Sequence, residues 1–160
     1  MLENAETYRL DTEKLFAVGD SAGAHILSLY LDICTNPDYA GNYKFHTPEA
    51  PQIRAVALNC GQYHMGEENL DELTGKLMEE YLPGKGTKQE LQLLCAVDYV
   101  TEKFPPAFLM TAEEDFLRGQ APLMYEKLKS MHIPCEFHDY RSGKTEKLGH
   151  VFHLNTSLTI

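Results

Sequence analysis

The chain has 160 residues, 43% of them hydrophobic and 24% charged, the proportions of an ordinary folded domain, which exclude disordered and fibrous classes. Fourteen Lys plus Arg against twenty-four Asp plus Glu leave a formal net charge of −10, a field that repels phosphate backbones and anionic lipid, so neither nucleic acid nor a membrane is an expected partner. No apolar run approaches the ~20 residues of a membrane span, and the acidic N-terminus is unlike a signal peptide, so a cytoplasmic location is expected.

Four strand-sized apolar segments stand at residues 14–18, 53–58, 107–111 and 135–140. The first three are nearly continuous hydrophobic runs, as strands buried on both faces of a parallel sheet require, while the fourth alternates and belongs nearer an edge. Residues 22–33 are apolar on almost every side and predict a core helix. Residues 35–51, with Pro37, Gly41, Pro48 and Pro51 among polar neighbours, read as a long connection. Two further helices are expected between the second and third strands. One carries a stripe of Leu70, Leu73, Leu77 and Tyr81; the other opens on a capping box of Thr87 and Glu90. A last clear helix runs over 120–131 with Leu123 or Met124, Leu128 and Met131 inward, and another starts near His150. The alternation of strands and helices argues for an α/β fold with a mostly parallel sheet. Cys34, Cys60, Cys95 and Cys135 show no C-x-x-C pair and read as core thiols, with neither zinc nor disulfides expected.

Gly19-Asp20-Ser21-Ala22-Gly23 is a G-x-S-x-G pattern set where the first strand passes into the first core helix. A nucleophile elbow needs that sharp strand-to-helix turn: the glycines admit close backbone approach, and the helix N-terminus favours developing negative charge. An ordinary turn or N-cap serine is the bland alternative.

With this segment, Pro105 to Asp115 (P-P-A-F-L-M-T-A-E-E-D) and Gly149-His150-Val151-Phe152, the sequence resembles the α/β-hydrolase family, specifically carboxylesterases related to hormone-sensitive lipase and the bacterial acetyl esterases. The resemblance implies one α/β-hydrolase domain over residues 1–160, with about four strands and a helical, lid-like insertion over about 61–106. It implies a triad in chain order Ser21, Asp115, His150: nucleophile, orienting acid and general base. The Ala22 N–H would be one oxyanion donor. No cofactor or metal is implied, and the substrate is a small ester, with short acyl groups such as acetyl.

Rivals remain for each partner: Glu113 and Glu114 beside Asp115, and His132, His138 and His153 beside His150. His25 follows Ser21 by one helical turn and reads as a packed histidine. Asp20 reads as structural, bonding nearby backbone, and Gly84-Lys85-Gly86-Thr87 reads as a surface turn rather than a phosphate loop. His150-x-x-His153 has the spacing of helical metal ligands without a third ligand cluster. Tyr63, Met65, Met78 and Tyr81 are apolar candidates for lining the acyl and alcohol pockets.

The resemblance further implies strands before the elbow strand and a His-Gly-Gly loop donating more oxyanion N–H groups, and the sequence contains no His-Gly-Gly. The expectation is an N-terminally truncated fold that leaves the elbow strand as an exposed edge, inviting homo-oligomers. Two other functions stay open: a non-catalytic hydrolase acting through a partner chain, and a serine peptidase of the prolyl-oligopeptidase kind.

Overall fold

The computed structural model describes residues 4–44, 53–66, 70–143 and 146–156. The four apolar segments become β1 (Leu15–Asp20), β2 (Ile53–Asn59), β3 (Ala107–Ala112) and β4 (Cys135–Tyr140), all parallel and ordered β1-β2-β3-β4. Parallel neighbours need crossovers, which the helices supply: α2 (Ala22–Thr35) and α3 (Pro37–Ala40), then α4 (Glu72–Tyr81), α5 (Lys88–Leu93) and α6 (Ala96–Tyr99), then α7 (Gln120–Ser130). A four-residue helix, α1 (Ala5–Tyr8), precedes β1, and a 3₁₀ turn, Phe152–Leu154, follows β4.

One face of the sheet holds the main core. Val56, Leu58, Ala107 and Leu109 meet Ala24 and Leu31 of α2, Val100 and Phe104 beyond α6, and Ala121, Met124 and Leu128 of α7. On the other face Phe108, Met110 and Ala112 are covered by Leu148 and Phe152. That cover stops short of β1, whose Phe16 and Val18 are 69% and 67% exposed. Among the described residues nothing pairs with the outer edge of β1.

Several local expectations change. The residue 35–51 connection contains α3, because the Asn36 side chain accepts from Tyr39 N–H and caps a helix begun by Pro37; Tyr39 is buried and stacks on Tyr99. Residues 45–51 of that connection lie outside the described residues. The helix α2 is not buried all round: Ile26 is exposed, and its inner face carries His25, Ser28 and Asp32 among the apolar side chains. In α4 the stripe of Leu73, Leu77 and Tyr81 points outward, while Thr74 is buried and Leu70, Met78 and Leu82 pack beside Met65, Leu91 and Cys95. Among the described residues the lid stretch holds three helices rather than two. The capping box of Thr87 and Glu90 forms, and the Glu90 carboxylate also accepts from Gly84 and Gly86 N–H, so this turn cradles an anion supplied by its own helix. In α7 it is Met124, fully buried, that faces inward, with Leu123 exposed. Cys60 and Cys95 are core thiols, whereas Cys34 and Cys135 are half-buried; none of the four forms a disulfide.

Asp32 was not expected in the core. Both carboxyl oxygens are buried without a hydrogen-bond partner among the described residues, and burial pushes the group up to about 9 against a weaker pull from Lys127. In the unfolded chain this carboxyl titrates near ~3.9, so the folded protein keeps a proton that the unfolded chain loses across that interval. Stability therefore falls as pH rises from about 4 to about 9, by at most about 1.4 kcal/mol per unit. Asp32→Asn is expected to flatten this slope; denaturant midpoints at about pH 5 and about pH 9 check it, and slopes equal to wild type would refute the buried proton.

Candidate active site

The β1–α2 turn places Ser21 at φ 54°, ψ −121°, outside the regions that side-chain-bearing residues favour. The conformation is held from both sides: Ser21 N–H donates to the Asn59 carbonyl at 2.9 Å, and its own carbonyl accepts the His25 N–H at 3.1 Å. Gly19 is required here, because a Cβ would lie 2.5 Å from the Gly23 carbonyl oxygen. Gly23 carries no such demand among the described residues, since a Cβ there would meet open space. Ser21 makes no side-chain cap, which leaves its hydroxyl free for another partner.

Three acidic residues leave the end of β3, and the fold sends them different ways. Glu113 turns to the loop after β4, accepting from Ser142 N–H, Leu148 N–H and Lys147; the Ser142 N–H chiefly holds its carboxyl well down, to about 2. Glu114 pairs through its backbone with Leu148 and Gly149. Asp115 turns inward, its side chain fully buried. Thr111 Oγ1 donates to its Oδ2 and Leu117 N–H to its Oδ1, each at 2.9 Å.

Past β4 the chain crosses back over the sheet, anchored by buried Leu148 and Phe152, and this suspends His150 between Asp115 and Ser21. His150 Nδ1 lies 2.7 Å from Asp115 Oδ1, and Nε2 lies 2.8 Å from Ser21 Oγ. A carboxylate can only accept, so Nδ1 carries the hydrogen and Nε2 presents its lone pair to the Ser21 hydroxyl. The expected residues Ser21, Asp115 and His150 thus form one hydrogen-bonded chain drawn from sequence positions up to 129 apart.

A family described by the alpha/beta hydrolase fold matches residues 1–154. The chain belongs to the α/β-hydrolase family. A protein of Acanthamoeba polyphaga mimivirus named as alpha/beta hydrolase R526 is 28% identical over 139 residues, which cover 83% of this chain and 39% of that one. Among solved structures, a lipase/esterase from Lactobacillus plantarum superposes with a TM-score of 0.70 at 18% identity, over 89% of this chain and 53% of that one. Esterase B from Lactobacillus rhamnosus gives 0.71 at 20% identity, over 89% and 46%. The chain therefore spans about half the length of these solved relatives, and at such identities the likeness concerns the fold.

The rival histidines of this α/β hydrolase sit elsewhere. His25 is buried and bonded to the Leu94 carbonyl; burial lowers its basicity although the carbonyl opposes this. His138 lies on β4 between Phe108 and Tyr140, and His132 takes a left-handed turn after α7. His153 faces Asp20: Nε2 lies 2.6 Å from Asp20 Oδ1, which also accepts from Asn59 Nδ2 at 3.0 Å. Asp20 thus bonds side chains, not the nearby backbone expected of it. Partial burial raises its carboxyl, but the hydrogen bonds from Asn59 and His153 prevail and hold it below its ordinary value.

Cys60, at the end of β2, places its sulfur within 4.8 Å of ligand-type atoms of Asp115 and His150. Burial pushes this thiol up to about 12, so it stays protonated at neutral pH, and the other two groups already bond each other; the trio is a poor metal site. Cys60 and Val151 both adopt left-handed backbone, at φ 49° and 48°, so with Ser21 three strained residues gather at the carboxyl ends of the strands.

Of the lining candidates, Tyr63 and Met65 are fully or nearly buried, Met78 is partly buried in packing, and Tyr81 is 79% exposed. Sequence reasoning passed over Phe116, whose half-exposed ring tilts against His150 with centroids 4.5 Å apart. It also passed over Gln120, whose Oε1 accepts from Tyr63 and His64 N–H and fixes the loop after β2. Neither position carries a pattern that would single it out in the sequence.

Proposed function

We propose that this chain is a serine hydrolase that cleaves carboxylic esters of short acyl groups, acetyl esters foremost, through an acyl-enzyme. The single observation that carries the reading is the hydrogen-bonded series Asp115, His150, Ser21. His150 Nε2 takes the Ser21 proton as Oγ attacks the ester carbonyl, then returns it to the departing alcohol; water repeats the sequence on the acyl-enzyme. Asp115, held by Thr111 and Leu117, keeps the imidazole oriented and balances the imidazolium charge. The Ala22 N–H belongs to the first turn of α2, where no helical carbonyl claims it, and serves as one donor to the oxyanion.

The test is reaction with a fluorophosphonate probe and hydrolysis of p-nitrophenyl acetate. Labelling at Ser21 together with turnover that declines as the acyl chain lengthens is expected; a folded chain that does neither refutes the reading. The edge of β1, unpaired among the described residues and with Phe16 and Val18 exposed, favours a second reading, a non-catalytic hydrolase acting by pairing this edge with a partner chain, a second copy included. Mass by light scattering on the labelled sample separates the two: a monomer that labels leaves the edge unused.

A further inference from the structure

The turn that carries His150 is a poor structure on its own. Val151 is β-branched and left-handed at φ 48°, and the 3₁₀ turn that follows spans only Phe152–Leu154. Something outside the turn must hold it, and the buried Leu148 and Phe152 anchor it to β3 rather than to the elbow. Besides the His150–Ser21 bond itself, the turn meets the elbow through His153, whose Nε2 lies 2.6 Å from Asp20 Oδ1 across a sequence separation of 133. Asp20 immediately precedes Ser21, and the same carboxylate oxygen accepts from the Asn59 side chain, while the Asn59 carbonyl accepts from Ser21 N–H. The end of β2, the elbow and the histidine turn are thereby joined through one carboxylate. The other ring nitrogen, His153 Nδ1, is buried and has no hydrogen-bond partner among the described residues, so Nε2 is the atom that does the holding.

We propose that His153 is a positioning residue: through its Nε2–H bond to Asp20 it clamps the His150 turn onto the nucleophile elbow and sets the Ser21–His150 distance. This rests on the ester-hydrolase reading above. The clamp acts on the approach of base to nucleophile, not on substrate contact, so its loss falls on kcat and spares KM.

The chemistry of the contact selects the variants. A Gln amide nitrogen reaches about as far as Nε2, whereas an Asn amide falls short. His153→Asn is expected to lower kcat on p-nitrophenyl acetate about 10- to 100-fold with KM changed less than about 2-fold, and His153→Gln to recover to within about 3-fold of wild type. In an Asp20→Ala background His153→Asn should cost nothing further. Wild-type kcat in His153→Asn, or an equal loss in His153→Gln, overturns the proposal. If His153→Asn does not fold, Asp20→Ala reads the same contact from the other side: a matching loss supports the clamp and a wild-type kcat overturns it. Proton NMR supplies a readout independent of turnover, because the Nδ1–H of His150, donated to a buried carboxylate, gives a strongly deshielded signal. That signal should persist in His153→Gln and broaden in His153→Asn. If wild type neither hydrolyses ester nor labels, the functional reading fails, and the NMR comparison still decides the clamp.

Discussion

Replacing Ser21 with Ala is expected to lower ester hydrolysis on the order of 10⁵-fold or more and to abolish fluorophosphonate labelling, while leaving the fold intact. The hydroxyl makes no helix cap and its hydrogen bond goes to His150 Nε2, so its removal deletes the proposed nucleophile with little structural cost. The strained backbone at φ 54° is imposed by the neighbours: Gly19 lies against Gly23, and Asn59 and His25 bond Ser21 through its backbone, none of which involves the side chain. Ala therefore inherits the turn. Initial rates with unfolding midpoints on the same sample check this, and hydrolysis retained by a folded variant would remove Ser21 from the mechanism.

Asp115→Asn is expected to cost about 10⁴ in kcat, by a route the local geometry specifies. Three donors converge on this carboxylate: the Thr111 hydroxyl on Oδ2, and the Leu117 N–H and His150 Nδ1 on Oδ1. The Leu117 N–H cannot reverse, whereas the Thr111 hydroxyl can rotate to accept, so the Asn oxygen belongs at the Oδ1 position and its amide faces Thr111. The histidine then keeps a bond but loses the negative charge that balances its protonated form. Glu114→Gln, made beside it, should keep wild-type kcat, because among the described residues Glu114 meets the His150 segment through its backbone. A full loss in Glu114→Gln with Asp115→Asn silent would move the acid by one position.

Much of this architecture is written locally. Apolar runs, nearly continuous in three and alternating in the fourth, marked all four strands to within two residues, although the burial on both faces expected of the continuous runs fails for β1, whose Phe16 and Val18 stand exposed. The turn of Ser21 was equally legible, since a strand, two glycines and a helix start fall within a few residues. The exposed side of α4 was not: Leu73, Leu77 and Tyr81 make a sound apolar stripe, but periodicity names a face without naming its neighbour, and the neighbours chose Met78 and Leu82. Asp32 looked like any helical aspartate, its burial being a property of what packs over α2. Choosing Asp115 over Glu113 and Glu114 rested on likeness to a family; what separates them physically is direction, Glu113 turned to the chain after β4, Glu114 exposed and Asp115 turned inward. The Asp20–His153 contact spans 133 positions and left no trace in either neighbourhood.

The strand order carries a further consequence. Because β1 through β4 stand side by side in the order of the chain, Ser21 leaves one margin of the sheet and His150 comes from the chain beyond the other. Their hydrogen bond closes a loop across a sequence separation of 129, a closure whose entropy alone is on the order of 4 kcal/mol for a flexible chain. No partial sheet can offset that, since each intermediate with a strand missing leaves the loop open. On the proposed mechanism, reactivity at Ser21 is therefore expected to report a sheet with all four strands in place, where helix content reports only its parts.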